Sequence, residues 1–448
     1  MRAMTSLLRS TANRSILANT ISLVGTTAIT SVLGFVYWWL ATQRFTPDVV
    51  GFASASVSAM LLLGTLGMLG FGTLLIAELP QHPGNEAPLI ATTLLTVGIG
   101  GGALGAFFAL IAPHIAPDLG ALGRSGGSIA LFAAGVAFTA LTMVLDQALV
   151  GLLRGDYQFW RNALFAVGKL IALFAVAVVT SDTVGLSVYA TWLIGNVISV
   201  GVLGVVAVAR SRSVRAFRPR WRYVRGIGRS ALGHHGLNMA LQFPALTLPL
   251  VVTTILSTTA NAYFYAAWMI AGFVFVGPGA LTVALYAVGT RHRAEVARYV
   301  RFTLGLGVAG GVMANAVLVF GAPWILRVFG SAYAHEASWA LRIIGLGVFP
   351  VIIKDHYVTI YRLRNRVSRA TLWVAVGAAL EIVAAAVGAS IGGLTGLALL
   401  WLGAACIEAA GMMRAVIGAA HMDVPIPAGV HGARGGLLAT IGQRSGRR

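Results

Sequence analysis

The sequence predicts an all-α polytopic membrane protein, with about twelve transmembrane helices in two six-helix lobes. Three observations predict it. Hydrophobic residues make up 58% of the 448-residue chain and charged residues only 10%, whereas soluble domains carry roughly 25% charged residues. The apolar residues form long unbroken runs, matching the about 20 residues that a helix needs to cross a hydrocarbon core of about 30 Å. Arginine gathers at alternate turns between those runs. A soluble fold of this size still exposes much of its surface, so a mean hydropathy of +0.84 requires the bilayer as solvent. A transmembrane barrel is excluded, because its strands alternate apolar and polar residues in short segments.

In chain order the spans cover Ile16–Leu40, Val50–Leu79, Leu89–Ala112, Ile129–Leu153, Trp160–Thr180, Val184–Ala209, Leu232–Leu256, Tyr263–Val288, Val300–Leu326, Ala337–Tyr361, Ala370–Ile391 and Leu394–Ala420. The first follows Arg2, Arg9 and Arg14 and is longer than the apolar region of a cleaved signal peptide, so it reads as a retained span. With the N-terminus inside, 26 of the 32 basic residues fall on the inner side, and only Arg44, Arg124, Arg327 and Arg342 on the outer. The positive-inside rule then gives cytoplasmic N- and C-termini, and the expected location is a bacterial plasma membrane. The net charge of +19 does not indicate nucleic acid, because the charges are dispersed between spans.

The stretch from Arg210 to Arg229 holds eight arginines between spans six and seven. It fixes topology and attracts anionic lipid headgroups. The expected organisation is an N-terminal lobe (1–209), a basic cytoplasmic linker (210–231), a C-terminal lobe (232–420) and a basic flexible tail (421–448).

The halves carry signs of a repeat. Span four ends in "LDQALVGLLRGDYQFWRN" and span ten in "IKDHYVTIYRLRNRVSRA". Aligning Arg154 with Arg362 sets Arg161 on Arg369 and Asp146 on Lys354. The turn "TPDVVGFASAS" likewise resembles "TTANAYFYAAW", six spans later. Duplicated halves are common in secondary transporters, with the substrate path at their interface.

Thirty of the 32 basic residues are arginine, and the only two lysines, Lys169 and Lys354, lie inside spans. Lys169 lies about 13 Å and Lys354 about 10 Å from the inner ends of their spans, at 1.5 Å per residue. A cation at such depth faces a cavity and takes a partner. Asp146, at similar depth in span four, is the partner expected for Lys169. The functional reading is a cationic cavity for an anionic group; a structural ion pair or snorkelling to the interface are the bland ones. Lysine in so arginine-rich a chain suggests a compact, tunable charge.

Glu381 and Glu408 are candidates for proton coupling, whereas Glu78, His234 and His235 read as interfacial. Asn238 and Gln242 are four apart and share one face of span seven. Pro244 and Pro249 follow, and are expected to kink or break that helix. Tyr37-Trp38-Trp39 reads as an interfacial aromatic belt, or as a stacking platform for a sugar. The lone Cys406 excludes an intrachain disulfide. No spacing resembles a metal site, and no cofactor is expected.

The stretch "GFVYWWLATQRFTPDVVGFASASVSAMLLLGTLGMLGFG" resembles the opening of the polysaccharide flippases of the Wzx kind, in the superfamily that also holds the MATE exporters and the lipid II flippases. "GLLRGDYQFWRNALFAVGKL", "NAYFYAAWMIAGFVFVGPGALTVALYAVGTR" and "VFGSAYAHEASWALRIIGLGVFPVIIKDHYVTIYRLRNR" fit the same pattern, and the resemblance covers Leu17 to Ala420. It implies two six-helix lobes in a MATE-like V, alternating access, and a polyprenyl-pyrophosphate-linked oligosaccharide as cargo, with polysaccharide-assembly proteins as potential partners. Lys169, Lys354 and Arg154 could supply cations to the pyrophosphate. The alternative is a MATE-like exporter of cationic drugs, which needs an acidic site; the acids here are scattered. An enzyme is disfavoured, because the longest outer loop, Pro113 to Ser128, is too short for a catalytic domain.

Overall fold

The computed structural model describes residues 11–179, 185–211, 218–219, 229–290 and 295–421. Most of the expected linker and nearly all of the tail lie outside the described residues. Among the described residues there are thirteen helices: α1 (Thr11–Arg44), α2 (Pro47–Gly67), α3 (Phe71–Glu78), α4 (Glu86–Ile115), α5 (Gly126–Gly151), α6 (Gly155–Val179), α7 (Leu186–Ser211), α8 (Arg229–Ile255), α9 (Thr258–Gly289), α10 (Val296–Arg327), α11 (Ser331–Leu346), α12 (Val348–Leu363) and α13 (Val367–His421). Two 3₁₀ turns, Leu79–Gln81 and Pro117–Gly123, connect α3 to α4 and α4 to α5. No strand forms among the described residues.

These helices make twelve crossings. Ten segments among the described residues are long and apolar enough to cross a membrane. One of them, α13, holds non-helical backbone at Gly392 and Gly393 and doubles back there, so it crosses twice. A Cβ on Gly388 would overlap the Gly396 carbonyl, which is why glycines sit on both sides of this hairpin. The 34 residues of α1, about 50 Å of helix, supply the remaining crossing.

Two crossings are interrupted. α2 and α3 form one span, broken at Leu69 (φ 47°) and Gly70 (φ 81°). α11 and α12 form another, with Gly347 between them. A Cβ on Gly347 would strike the Trp401 ring, so the glycine seats that indole against the junction. By contrast α8 runs unbroken through Pro244 and Pro249. The expected break is absent, and Thr253 in the following turn hydrogen-bonds the Pro249 carbonyl oxygen at 2.8 Å.

The repeat is visible as matched turns, in a register one helical turn away from the one expected. Leu153 (φ 55°) and Asn365 (φ 54°) both adopt left-handed backbone. After each, the next amide donates five residues back, Arg154 to the Leu149 carbonyl and Arg366 to the Tyr361 carbonyl. Arg154 therefore matches Arg366, not Arg362, and the halves are offset by 212 positions. The same offset relates Thr46 to Thr258, which begin the two similar outer segments.

One face of the bundle carries the α5–α6 and α12–α13 turns, the start of α8, and the end of α13; it is called the basic face for its arginines. At the opposite face the two lobes are tied together. Asn261 Nδ2 donates to the Gly51 carbonyl (2.9 Å) and to Ser54 Oγ (3.0 Å). Gly51 lies so close to the Thr258 carbonyl that any side chain there would overlap it. Trp39 Nε1 and Gln43 Nε2 each reach the Val328 carbonyl at 3.2 Å, and the Thr258 amide donates to Asp118 Oδ2 at 3.1 Å.

Candidate functional site: a polar cavity and two lysines within the bundle

A cavity of about 270 Å³ lies in the half of the molecule nearer the basic face. α2 and α3 contribute Thr65, Met68 and Thr73; α5 and α6 contribute Met143, Asp146, Gln147 and Gln158; α8 contributes His235, Asn238 and Gln242. It lies between the N-terminal lobe and α8, the first helix of the C-terminal lobe. Asn238 and Gln242 reach it together because residues four apart in a helix share a face. Its one carboxylate, Asp146, is fully engaged. Arg161 Nε and Nη2 donate to its two oxygens at 2.7 and 2.6 Å, and Asn162 adds a bond at 3.2 Å. Asp146 thus pairs across the α5–α6 turn with Arg161, and the expected pair with Lys169 does not form. At the rim, Arg362 Nη2 donates to Asn238 Oδ1 at 3.0 Å. Arg154 is exposed on the basic face, stacked 5.8 Å from the Tyr157 ring.

Lys169 sits eight residues past Arg161 on α6, about 12 Å deeper. It is buried within the N-terminal lobe and no carboxylate contacts it among the described residues. Three rings surround its ammonium: Trp192 at 3.7 Å, Phe165 at 4.8 Å and Tyr37 at 5.0 Å from their centroids. Each ring face offers negative quadrupole density, worth about 2 kcal/mol when both partners are desolvated. Gly195 on α7 leaves room for the stem, its Cβ position lying 3.1 Å from Lys169 Cβ. Tyr37 is fixed in turn by Thr191 Oγ1 (2.7 Å) and the Val188 carbonyl (3.0 Å). Tyr37 and Trp38 are buried, so the interfacial-belt reading fails for them; only Trp39 is exposed. Trp38 instead packs on Tyr265 of the other lobe, 4.9 Å between centroids.

Lys354, on α12, is held by charge. Its Nζ lies 2.5 Å from Glu381 Oε1 and 2.6 Å from Glu408 Oε2. The two glutamates come from the two arms of the α13 hairpin. A Cβ on Gly377 would overlap the Glu408 carboxyl, so glycine makes the space that Glu408 fills. Trp401 Nε1 donates to the other Glu381 oxygen at 2.8 Å. Glu408 is nearly fully buried, with its Oε2 turned to the Lys354 ammonium. Neither lysine lines this cavity; Lys169 and Lys354 stand apart from it and from each other.

Sequence reasoning did not single out Arg161, Trp192, Phe165, Trp401, Gln147 or Gln158. One signal was present for Arg161: Asp146 and Arg161 stand seven residues before and eight after Leu153, the pivot of the turn. In a helical hairpin such positions meet. Glu78 and His82 pair at 3.4 Å on the surface. Among the described residues no group of His, Cys, Asp and Glu is placed to hold a metal ion.

No protein-family model matches the chain, and no curated protein matches it. Solved structures do. The inward-facing conformation of a multidrug resistance MATE family transporter of the MOP superfamily superposes with a TM-score of 0.63, at 15% identity, covering 90% of this chain and 98% of that one. An outward-facing conformation of such a transporter gives 0.60, at 15% identity, over 92% and 96%. A MOP superfamily transporter from Pyrococcus furiosus, described as having a binding pocket of reverse polarity that suggests a different function, gives 0.59, at 15% identity, over 93% and 98%. The chain has the MATE transporter fold.

Proposed function

We propose that this protein is a membrane transporter working by alternating access, and that its cargo is a polyprenyl-pyrophosphate-linked oligosaccharide destined for cell-surface polysaccharide. The observation that carries the reading is the chemistry of the cavity. Its only carboxylate is neutralised by Arg161, so it offers no acidic anchor for a cationic drug. It offers the carboxamides of Gln147, Gln158, Asn238 and Gln242 instead, groups that both donate to and accept from sugar hydroxyls.

The pyrophosphate would meet Arg362 and Arg154 at the rim, where arginine forks suit phosphate oxygens. The lipid tail would stay in the bilayer through the gap between lobes. By the positive-inside rule the basic face is cytoplasmic. On that orientation the contacts of Gly51, Asn261 and Trp39 would close the outer side, the arrangement expected of an inward-open state. The Pyrococcus protein with reversed pocket polarity supports the idea that this fold serves more than cation export.

The test is genetic and chemical. Deleting the gene leads to accumulation of lipid-linked oligosaccharide on the cytoplasmic side. The wild-type copy clears it, and the Asn238→Ala/Gln242→Ala double variant does not. Unchanged lipid-linked glycans, with altered sensitivity to cationic drugs, would overturn the reading in favour of a drug exporter.

A further inference from the structure

The cluster in the C-terminal lobe has the form of a cation site with its cation built in. Two carboxylates converge on one point from the two arms of α13. Glu381 Oε1 and Glu408 Oε2 both meet that point at the range of a charge-assisted hydrogen bond. The point is occupied by Lys354 Nζ. Glu408 is buried, and its Oε2 faces the ammonium directly.

We propose that Lys354 is a tethered counter-ion standing in a monovalent-cation site, so that the C-terminal lobe is charge-compensated without a sodium ion. Trp401 fixes Glu381 and the absent side chain of Gly377 admits Glu408, so both carboxylates keep their places when the ammonium is removed. The vacated point is then ringed by three carboxylate oxygens that Trp401 does not use. That is too few for the six to eight ligands of Ca²⁺, but sufficient for Na⁺ with added water.

The experiment measures thermal unfolding of the full-length protein in detergent, in NaCl against an equal concentration of N-methylglucamine chloride. The wild type melts at the same temperature in both. Lys354→Met melts lower, and NaCl shifts it back up. The double variant Lys354→Met/Glu408→Gln shows no sodium shift. Lys354→Gln, which keeps a polar side chain, serves if Lys354→Met does not fold, and gives the same upward shift. A wild type that responds to sodium as strongly as the variants, or folded lysine variants that do not respond, would overturn the proposal. The readout is binding to the purified protein, so failure of the glycan assay leaves it untouched, and the reverse.

Discussion

In the N-terminal lobe a buried lysine is wrapped by three aromatic rings; in the C-terminal lobe a half-buried lysine is clamped by two buried carboxylates. The 212-position register sharpens the contrast, because it matches Lys169 with Glu381, so one repeated position carries opposite charges in the two lobes. The same register matches Tyr189 with Trp401, which donate to the Phe132 carbonyl and to Glu381 respectively. The bilayer charges both lobes for a buried ion. The C-terminal lobe offsets that cost with Coulomb attraction, and the N-terminal lobe only with the weaker pull of ring quadrupoles. Lys354 is therefore a structural charge, whereas Lys169 is a cation held at a deficit.

The largest expected difference follows from removing each charge. Lys354→Met strands two carboxylates, and breaking a buried pair costs about 3–5 kcal/mol; Lys169→Met strands nothing and raises stability. Unfolding curves of the two variants in mixed micelles test this, and equal losses would erase the contrast. A smaller effect tests the ring cage itself. Trp192→Phe weakens it, and a double-mutant cycle with Lys169→Met should give a coupling of about 0.5–2 kcal/mol. A coupling near zero would reduce the cage to ordinary packing. The smallest effect is on the cavity rim. Asn238→Ala loses one exposed hydrogen bond and shifts stability by no more than about 0.5 kcal/mol, while raising the KM for lipid-linked glycan in reconstituted vesicles.

The sequence made the crossings legible because each one must satisfy its own backbone in lipid, and that forces a long apolar run. The turn positions followed from the same constraint, and the even count from the gathering of arginines at alternate turns. What it left obscure was which helices meet. Glu381 and Glu408 lie 27 and 54 residues beyond Lys354, and nothing in a linear pattern announces a pairing at that range. Tyr37 and Trp38 looked interfacial because they stand near the end of an apolar run; packing against Trp192 and Tyr265 overrode that placement. The repeat register was misjudged by one helical turn, because arginines are frequent on both sides of each turn. Left-handed backbone at Leu153 and Asn365, which residue type did not reveal, resolved it.

The tight hairpin of α13 also bears on how the protein is made. Glu381 and Glu408 ride on two arms that cross one another at Gly388 and Gly396, so neither arm can settle in lipid far ahead of the other. Each glutamate alone would resist entry to the hydrocarbon. Lys354 leaves the ribosome before both and waits in the preceding span, ready to receive them. Entry of the last three crossings as one unit would spare each charge a separate passage into lipid, and a chain truncated between Gly393 and Glu408 would leave Lys354 with Glu381 alone and the hairpin without its second arm.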